Sequence, residues 1–326
     1  MRNVFKCSQS KVNVFRKCLY AYHLRYVLGL RRTRKARPLQ FGSLVHTMLE
    51  ADADGANPFK ALDNAVKGQK LFASEREELL EIAHDARIIM RDYFDYWEDA
   101  PRKDQFIPTK RKGKNAEHQI FVEIAKGIEL EVKLDALGTT GDGKRVLLEN
   151  KTFRQLPSDD HRWRNLQSNI YKHVLDIEKI PVDGMMWNYI RSKPPTMPQL
   201  LKDGSVSKKR LDTLPAAVEE FFRRKKEKPD VRMLKAAESN RPNYFIRQLT
   251  TFRKQTVKCL VDDFIETAKV MASGLHGKAK TIDRHCDYCE FESICRAELT
   301  GADAKFVIKK EYTTREQRED AIQEVG

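Results

Sequence analysis

Residues 145–153 read RVLLENKTF, a strand-like run that carries a charged pair in its middle. Successive side chains on a strand point to opposite sides, so Glu149 and Lys151 face the same way. Two charges on a buried face are costly unless something compensates them. The pair therefore indicates either a solvated edge strand with a surface ion pair or a buried site that uses both charges.

The residues around this stretch predict a βββαβ core over residues 117–192. Three short runs with alternating and β-branched residues, EHQIFVEI, IELEVKLDALG and KRVLLENKTF, are separated by glycine-containing turns at 126–127 and 141–143. This spacing is typical of an antiparallel meander. A helix is predicted over residues 161–178, and the apolar run GMMWNYIRS predicts a further strand over residues 184–192.

Helical periodicity recurs on both sides of this core. It is present at 11–29, 39–55, 75–98, 214–228 and 251–274. Ser8 or Ser10 is suited to cap the first of these helices, and Gly29 stands where a C-terminal glycine is expected. We therefore expect an α/β fold with helical additions before and after the core.

The chain is strongly basic. It has 61 Lys and Arg against 47 Asp and Glu among 326 residues, which gives a formal net charge of +14. An excess of this size favours a polyanionic partner, with nucleic acid first and an acidic membrane surface second. The basic residues concentrate in runs at 31–35, 110–112, 208–210 and 223–226.

The sequence predicts a cytoplasmic protein with no membrane partner. No stretch approaches the roughly 20 apolar residues that a membrane-spanning helix needs. The first residues, MRNVFKCSQSKVNVF, lack the apolar segment of a secretory signal. Thiols stay reduced in the cytoplasm, so the six cysteines are expected to be free or metal-bound rather than paired in disulfides.

Two carboxylates and a lysine are expected to converge on the core strands. Asp135 lies in the second predicted strand and Glu149 in the third, and a short turn joins these strands. Two carboxylates a few ångströms apart repel each other unless a cation lies between them. Hard oxygen ligands suit Mg²⁺ or Mn²⁺. Lys151 on the same face can orient a metal-bound water or neutralise a phosphate, so the set suits phosphodiester hydrolysis.

Leu134-Asp135 followed by Glu149-Asn150-Lys151 resembles the signature of the PD-(D/E)XK nucleases. FGSLVH at 41–46 resembles the G-x-x-x-H helix of the RecB-like members, whose histidine is a metal ligand. Gln167 and Tyr171 are similar to the Q-x-x-x-Y element of the same group, which lies near the DNA. The family often has glycine three residues before the strand aspartate, where this chain has Val132.

The resemblance implies a restriction-endonuclease-like central mixed sheet flanked by helices. It implies that His46, Asp135 and Glu149 hold one or two Mg²⁺ or Mn²⁺ ions, together with the backbone carbonyl of Thr152. Lys151 would position the attacking water. Gln167 and Tyr171 would orient the DNA strand and complete the catalytic set.

The implied activity is that of a freestanding, phage-type DNA exonuclease acting on single strands or DNA ends. Its expected context is phage or bacterial DNA recombination, repair or replication. Two other functions fit the charge and the motifs. One is a catalytically inactive nucleic-acid-binding protein with a metal cluster, and the other is a structure-specific endonuclease of the same fold.

Three cysteines near the end of the chain, Cys286, Cys289 and Cys295, have C-x₂-C-x₅-C spacing. C-x₂-C pairs are common in zinc sites, and a tetrahedral site needs a fourth ligand. Several residues can supply that ligand on spacing alone: Cys7, Cys18, Cys259, His285 and Asp287. Four thiolates suit an iron–sulfur cluster as well as zinc.

The family resemblance favours Cys18 as the fourth ligand. In RecB-like nucleases of the AddB and CRISPR-associated type, a similar C-terminal cysteine triple joins one N-terminal cysteine around a 4Fe–4S cluster. That cysteine lies in an aromatic-rich stretch, which the run CLYAYHLRY from Cys18 resembles, although Leu19 replaces the usual proline. The resemblance therefore implies a 4Fe–4S cluster on Cys18, Cys286, Cys289 and Cys295, with zinc as the alternative.

The expected organisation is a single nuclease domain over residues 1–300. It would comprise a helical part over 1–116, the catalytic core over 117–192 and a helical, cluster-binding part over 193–300. Residues 301–326 are highly charged and are expected to form a C-terminal tail, either helical or mobile.

Overall fold

The computed structural model describes residues 4–69, 73–98, 100–109, 118–203, 205–207, 209 and 211–314. The basic run at 110–112, Lys208, Arg210 and the part of the predicted tail at 315–326 lie outside the described residues. The strands are β1 Phe5–Ser8, β2 Arg31–Arg32, β3 Phe106–Pro108, β4 His118–Ala125, β5 Ile128–Leu134, β6 Ala136–Thr140, β7 Arg145–Phe153, β8 Gly184–Arg191, β9 Phe245–Thr251 and β10 Tyr312–Thr313. The α-helices are α1 Gln9–Lys17, α2 Leu19–Tyr22, α3 Arg37–Ala53, α4 Pro58–Lys67, α5 Ala73–Glu98, α6 Asp159–Trp163, α7 Leu166–Ile177, α8 Pro215–Lys225, α9 Val231–Glu238, α10 Arg241–Tyr244, α11 Lys254–Ser273, α12 Glu292–Thr300 and α13 Ala304–Glu311.

Strand β7, which carries RVLLENKTF, lies at the centre of a five-stranded mixed sheet with the order β3-β6-β7-β8-β9. Neighbouring strands are antiparallel except for β7 and β8, which are parallel. In the register of that parallel pair, Glu149 lies opposite Trp187 and Lys151 opposite Tyr189. Strand β6 pairs with β7 up to Leu148 and β8 pairs along its whole length, and Glu149 is buried, so the charged pair does not lie on a solvated edge strand.

The predicted three-stranded meander has the right antiparallel neighbours, but its strands do not form one sheet. The second run divides at Asp135 into β5 and β6, which belong to different sheets. Strand β5 pairs with β4 and with β1 in a separate three-stranded sheet, whereas β6 pairs with β7. Alternation alone does not reveal the division, because Leu134 and Ala136 on either side of Asp135 are both buried, as they would be in one continuous strand.

Helices cover both faces of the five-stranded sheet. Trp187 and Tyr189 on β8 pack into one core and Ile190 packs into the other, as the alternation of a strand requires. The first core also contains Val12 of α1, Leu130 of β5, Val174 of α7 and Phe264 of α11. The second core also contains Met48 of α3, Leu62 of α4, Ile89 of α5 and Phe245 of β9. The predicted mixed α/β fold is confirmed. None of the helices in the described residues is long and apolar enough to cross a bilayer.

The first predicted helix, over 11–29, is interrupted at Cys18. The backbone of Cys18 is extended, with φ −160° and ψ 117°, and it separates α1 from α2. A π-helical turn over His23–Val27 then completes the segment. Ser8 caps α1, since its side chain accepts a hydrogen bond from the amide of Lys11. Gly29 adopts a left-handed φ of +68° where the helical segment ends, as expected.

The two ends of the described chain meet in a third small core. Strand β10 pairs with β2 in an antiparallel ladder, in which Tyr312 lies opposite Arg32. Leu24 of the N-terminal segment packs with Phe291 and Ile294, which flank the start of α12. Residues 304–313 of the segment expected to be a tail therefore form helix α13 and strand β10, which lie against this core.

Candidate active site

Asp135 lies at the point where the chain passes from the three-stranded to the five-stranded sheet. The sequence predicted that Asp135 lies within a strand. In the structure it occupies the single-residue gap between β5 and β6. Its Oδ2 accepts a hydrogen bond of 2.7 Å from the backbone amide of Asn150. This bond fixes the carboxylate beside the middle of β7.

His46 approaches the same carboxylate from helix α3. Its Nδ1 lies 3.9 Å from Oδ1 of Asp135. Gly42, one turn earlier, makes this approach feasible because a Cβ built there would lie only 3.3 Å from Oγ1 of Thr152 on β7. An added Cβ would require the Thr152 hydroxyl to shift by a few tenths of an ångström, and larger side chains would crowd the strand further. The G-x-x-x-H pattern thus places an imidazole beside Asp135.

Glu149 is held by two neighbouring side chains. It is only 2% exposed, and its Oε1 accepts hydrogen bonds from Lys151 Nζ at 2.6 Å and from Gln167 Nε2 at 2.8 Å. Lys151 also donates to Oε1 of Gln167 at 3.1 Å. The two charges of E-x-K are therefore paired, with Glu149 buried and Lys151 partly exposed, and the amide on α7 bridges them.

Gln167 and Tyr171 form a hydrogen-bonded chain behind Glu149. Gln167 Nε2 also donates to the hydroxyl of Tyr171 at 2.8 Å, and this hydroxyl donates to the backbone carbonyl of Lys133 at 2.8 Å. Tyr171 is only 6% exposed. These contacts connect helix α7 and strand β5 to the carboxylate of Glu149.

The electrostatics of the site favour a cation. Burial first, and then the neighbouring Asp135 carboxylate, raise the pKa of Glu149, while Lys151 opposes this shift. The second carboxylate oxygen of Glu149, Oε2, is buried without a hydrogen-bond partner. An unpaired buried carboxylate oxygen close to a second carboxylate fits a hard divalent cation in its donor chemistry. Within the described residues, no three His, Cys, Asp or Glu side chains have the geometry of a preformed metal site.

Comparison with known proteins identifies the family. The family model of the PD-(D/E)XK nuclease superfamily matches residues 6–296, which is most of the chain. The chain belongs to this superfamily. The resemblance inferred from Asp135, Glu149 and Lys151 is thereby confirmed at the level of the superfamily.

Two solved structures are distantly similar to this chain. One is described as a “Putative exonuclease” from Eubacterium rectale, with 11% identity, 85% of this chain and 91% of that chain covered, and a TM-score of 0.39. Another is SSO0001, which has 14% identity and a TM-score of 0.29, and the match covers 86% of this chain and 94% of that chain. No curated protein matches the chain. Membership of the PD-(D/E)XK superfamily therefore rests on the family model.

The nuclease has a cavity beside Asp135 that sequence reasoning did not predict. It has a volume of about 560 Å³, and its lining includes His46 and Asp135 together with Asn150 of β7. Its far wall is aromatic and comes largely from the end of α5. The only signal in the sequence is the aromatic run YFDYW at 93–97, which also fits ordinary helix packing.

The four cysteines chosen for the cluster line one cavity of about 280 Å³, which also contains Lys280. All six cysteines of the chain are free thiols. Burial raises the pKa of Cys295 to about 11, with Cys289 and Cys18 adding to the shift. Cys7 belongs to a different core and is 2% exposed, whereas Cys259 is exposed on α11. The four cysteines of the predicted set thus line the same cavity, but among the residues that the structure describes no three of them are arranged as a metal site.

The basic runs are partly neutralised by neighbouring acids. Arg34 pairs with Glu78 of α5, and Arg223 and Arg224 both pair with Glu220 on α8. The charge available to a polyanion at these two runs is therefore smaller than the residue count indicates.

If His46 serves the nuclease reaction, we expect the substitution Gly42→Val to lower nuclease activity by about 10²-fold, the order of loss that follows a 1 Å misplacement of a reacting group. The added side chain would collide with Thr152 and move His46 away from Asp135. Ser43→Val is the matched control, because Ser43 is exposed on the same helix. Equal rates for the two variants in a cleavage assay would contradict the proposed packing of α3 on β7.

Proposed function

We propose that this protein is a metal-dependent DNA exonuclease that hydrolyses phosphodiester bonds at single-stranded DNA or DNA ends. The observation that carries the proposal is that His46 and Asp135 lie 3.9 Å apart beside β7, the central strand that carries the paired charges of Glu149 and Lys151. Two carboxylates, an imidazole and an ammonium group form a chemically complete set for metal-assisted hydrolysis.

The proposed ligands of Mg²⁺ or Mn²⁺ are His46, Asp135 and Glu149, together with the Thr152 carbonyl. A bound divalent ion would lower the pKa of a water nucleophile and stabilise charge on the phosphate. Lys151, through its Nζ beside Glu149, would orient that water. These assignments account for the partnerless oxygen of Glu149 as well as for its ion pair with the partly exposed Lys151.

Gln167 and Tyr171 act as positioning residues in this proposal. Gln167 holds Oε1 of Glu149, and Tyr171 fixes the amide of Gln167 against the backbone of β5. They would orient the DNA strand only through Glu149, because their hydrogen-bonding groups are already used within the protein. This differs from the direct role that the family resemblance implied.

We also propose that Cys18, Cys286, Cys289 and Cys295 hold a 4Fe–4S cluster, with zinc as the alternative. The support is that all four thiols line one apolar cavity between the N-terminal segment and α12. A cluster there would fasten the two ends of the domain around the catalytic core. Residues 1–300 would then work as one nuclease unit.

The biological setting of this proposal is bacterial or phage DNA recombination, repair or replication in a cytoplasm. The six free cysteines are compatible with a reducing compartment. A net charge of +14 supports a polyanionic substrate, and binding should weaken steeply as salt is raised.

The substitutions Asp135→Ala and Lys151→Ala should each lower kcat by at least about 10²-fold, because each removes a charge that stabilises the reacting groups. DNA binding, measured by fluorescence anisotropy, should persist in both. Lys144→Ala is the matched control, because this lysine lies on the exposed turn before β7 and pairs only with Asp142 in the contacts described. Retained cleavage in either active-site variant would refute the assignment.

A comparison of end-labelled linear DNA with closed circular DNA tests the mode of cleavage. An exonuclease releases nucleotides from the linear strand and leaves the circle intact. Cleavage of the circle would identify a structure-specific endonuclease of the same fold instead.

Addition of Mg²⁺ or Mn²⁺ should raise the thermal unfolding midpoint of the wild-type protein. Ligand at 100 times its dissociation constant adds about 2.7 kcal/mol to the stability of the folded state. Glu149→Gln should lose most of this shift, because it removes the partnerless carboxylate oxygen. An identical metal-induced shift in the variant, measured by scanning calorimetry, would rule out Glu149 as a ligand.

Anaerobically purified protein should be coloured and contain about four iron atoms per chain, as the Cys₄ cluster requires. Cys18→Ser should lose the colour and the iron, whereas Cys259→Ser should retain both, because Cys259 is exposed outside the cavity. Colourless protein with one zinc per chain would establish zinc instead, and metal-free wild-type protein would refute both forms of the proposal.

A further inference from the structure

The cavity of about 560 Å³ beside Asp135 is part of the same site but opens on the other face of β7. Leu148 and Asn150 of this strand line the cavity. Their side chains alternate along the strand with those of Glu149 and Lys151 and so point to the opposite face. Its volume falls within the range of about 300–1,000 Å³ that is typical of sites for small ligands. A ligand group in this cavity would lie directly next to the proposed metal ligands His46 and Asp135.

The far wall of the cavity is suited to flat, unsaturated rings. Phe94 and Trp97 of α5 and Phe106 of β3 line it. Aromatic side chains bind unpaired nucleobases by stacking, which tolerates any base.

The Trp97 ring is held in place by Arg247, which itself lines the cavity. The guanidinium of Arg247 lies 4.0 Å from the centre of the Trp97 ring. Arg247 also donates to the carbonyl of Asp104 at 2.9 Å and to the hydroxyl of Tyr93 at 3.1 Å. A rigid aromatic surface loses little conformational freedom when a ligand stacks on it.

The remaining lining is acidic, which restricts the ligand. Glu50, Asp52 and Glu98 all line the cavity, and Arg247 is the cation among the lining residues described. Carboxylates repel phosphate groups but accept hydrogen bonds from the amino groups on base edges. The cavity therefore suits an uncharged base and disfavours the continuation of a phosphate backbone through it.

We propose that this cavity holds the unpaired base of the terminal nucleotide while the adjoining phosphodiester lies at His46 and Asp135. The proposal rests on the nuclease function proposed above and names its substrate class, the free end of a single strand. A base-paired end has to fray before it is cut. The acidic wall excludes a strand that continues beyond the cavity, so cleavage starts from an end.

The test combines variants with substrates that lack the terminal base. Trp97→Ala should raise KM for a single-stranded, end-labelled oligonucleotide about tenfold, the order of one lost stacking contact, with kcat changed little. Removing the terminal base from the substrate should impose a similar loss on the wild-type protein and no further loss on Trp97→Ala. Such non-additivity shows that the side chain and the base interact.

A second variant tests the same proposal if Trp97→Ala does not fold. Ala53→Trp adds a ring to the lining of the cavity without removing a packing residue, so it should raise KM in the same way. Phe306→Ala is the control, because Phe306 is an exposed aromatic residue on α13, and it should behave as wild type. Thermal unfolding establishes that each variant is folded.

Binding of deoxyadenosine, which carries a base but no phosphate, in the presence of EDTA separates the two proposals when measured by calorimetry, and a wild-type protein that does not bind it refutes the pocket. Binding that Ala53→Trp abolishes supports the pocket even if no DNA is cleaved, in which case the nuclease proposal alone fails. Cleavage that is indifferent to the terminal base and to both pocket variants refutes the pocket and leaves the nuclease proposal intact.

Discussion

The structure depends on a buried carboxylate at the centre of a sheet. Glu149 is almost fully inaccessible, yet β7 places it among apolar neighbours because Lys151 and Gln167 hold one of its oxygens. Burial of a charged group is unfavourable unless it is paired and hydrogen-bonded. The surrounding elements are arranged to meet that requirement. Helix α7 supplies the amide, and the tyrosine one turn later on α7 fixes it against β5.

Much of this arrangement is readable from the sequence because it depends on local spacing. The two-residue spacing of E-x-K puts both charges on one face of β7. The four-residue spacing of G-x-x-x-H puts Gly42 and His46 on one face of α3. Helix α5 and strand β8 also follow their predicted patterns closely. In these cases the spacing of the residues along the sequence matches the periodicity of a helix or a strand. The local structure can therefore be predicted without knowledge of tertiary contacts.

Other features depend on contacts that spacing does not encode. The division at Asp135 is invisible because the alternation of buried residues continues through it. Strand β1 has four residues and β3 has three, which is too short for a periodic signal, and each forms by pairing with a distant strand. The aromatic cavity joins α5, β3 and the end of α3, so its residues converge only after folding.

The meeting of both chain ends in one small core has a consequence for synthesis on the ribosome. Leu24 and Cys18 find their partners only after residues 286–313 have been made, since Phe291, Ile294 and Tyr312 complete that core. The segment around Leu24 is thus among the last to be finished. Contacts of such large sequence separation are slow to form. During translation Cys18 and Leu24 therefore wait for these packing partners until most of the described chain has been synthesised.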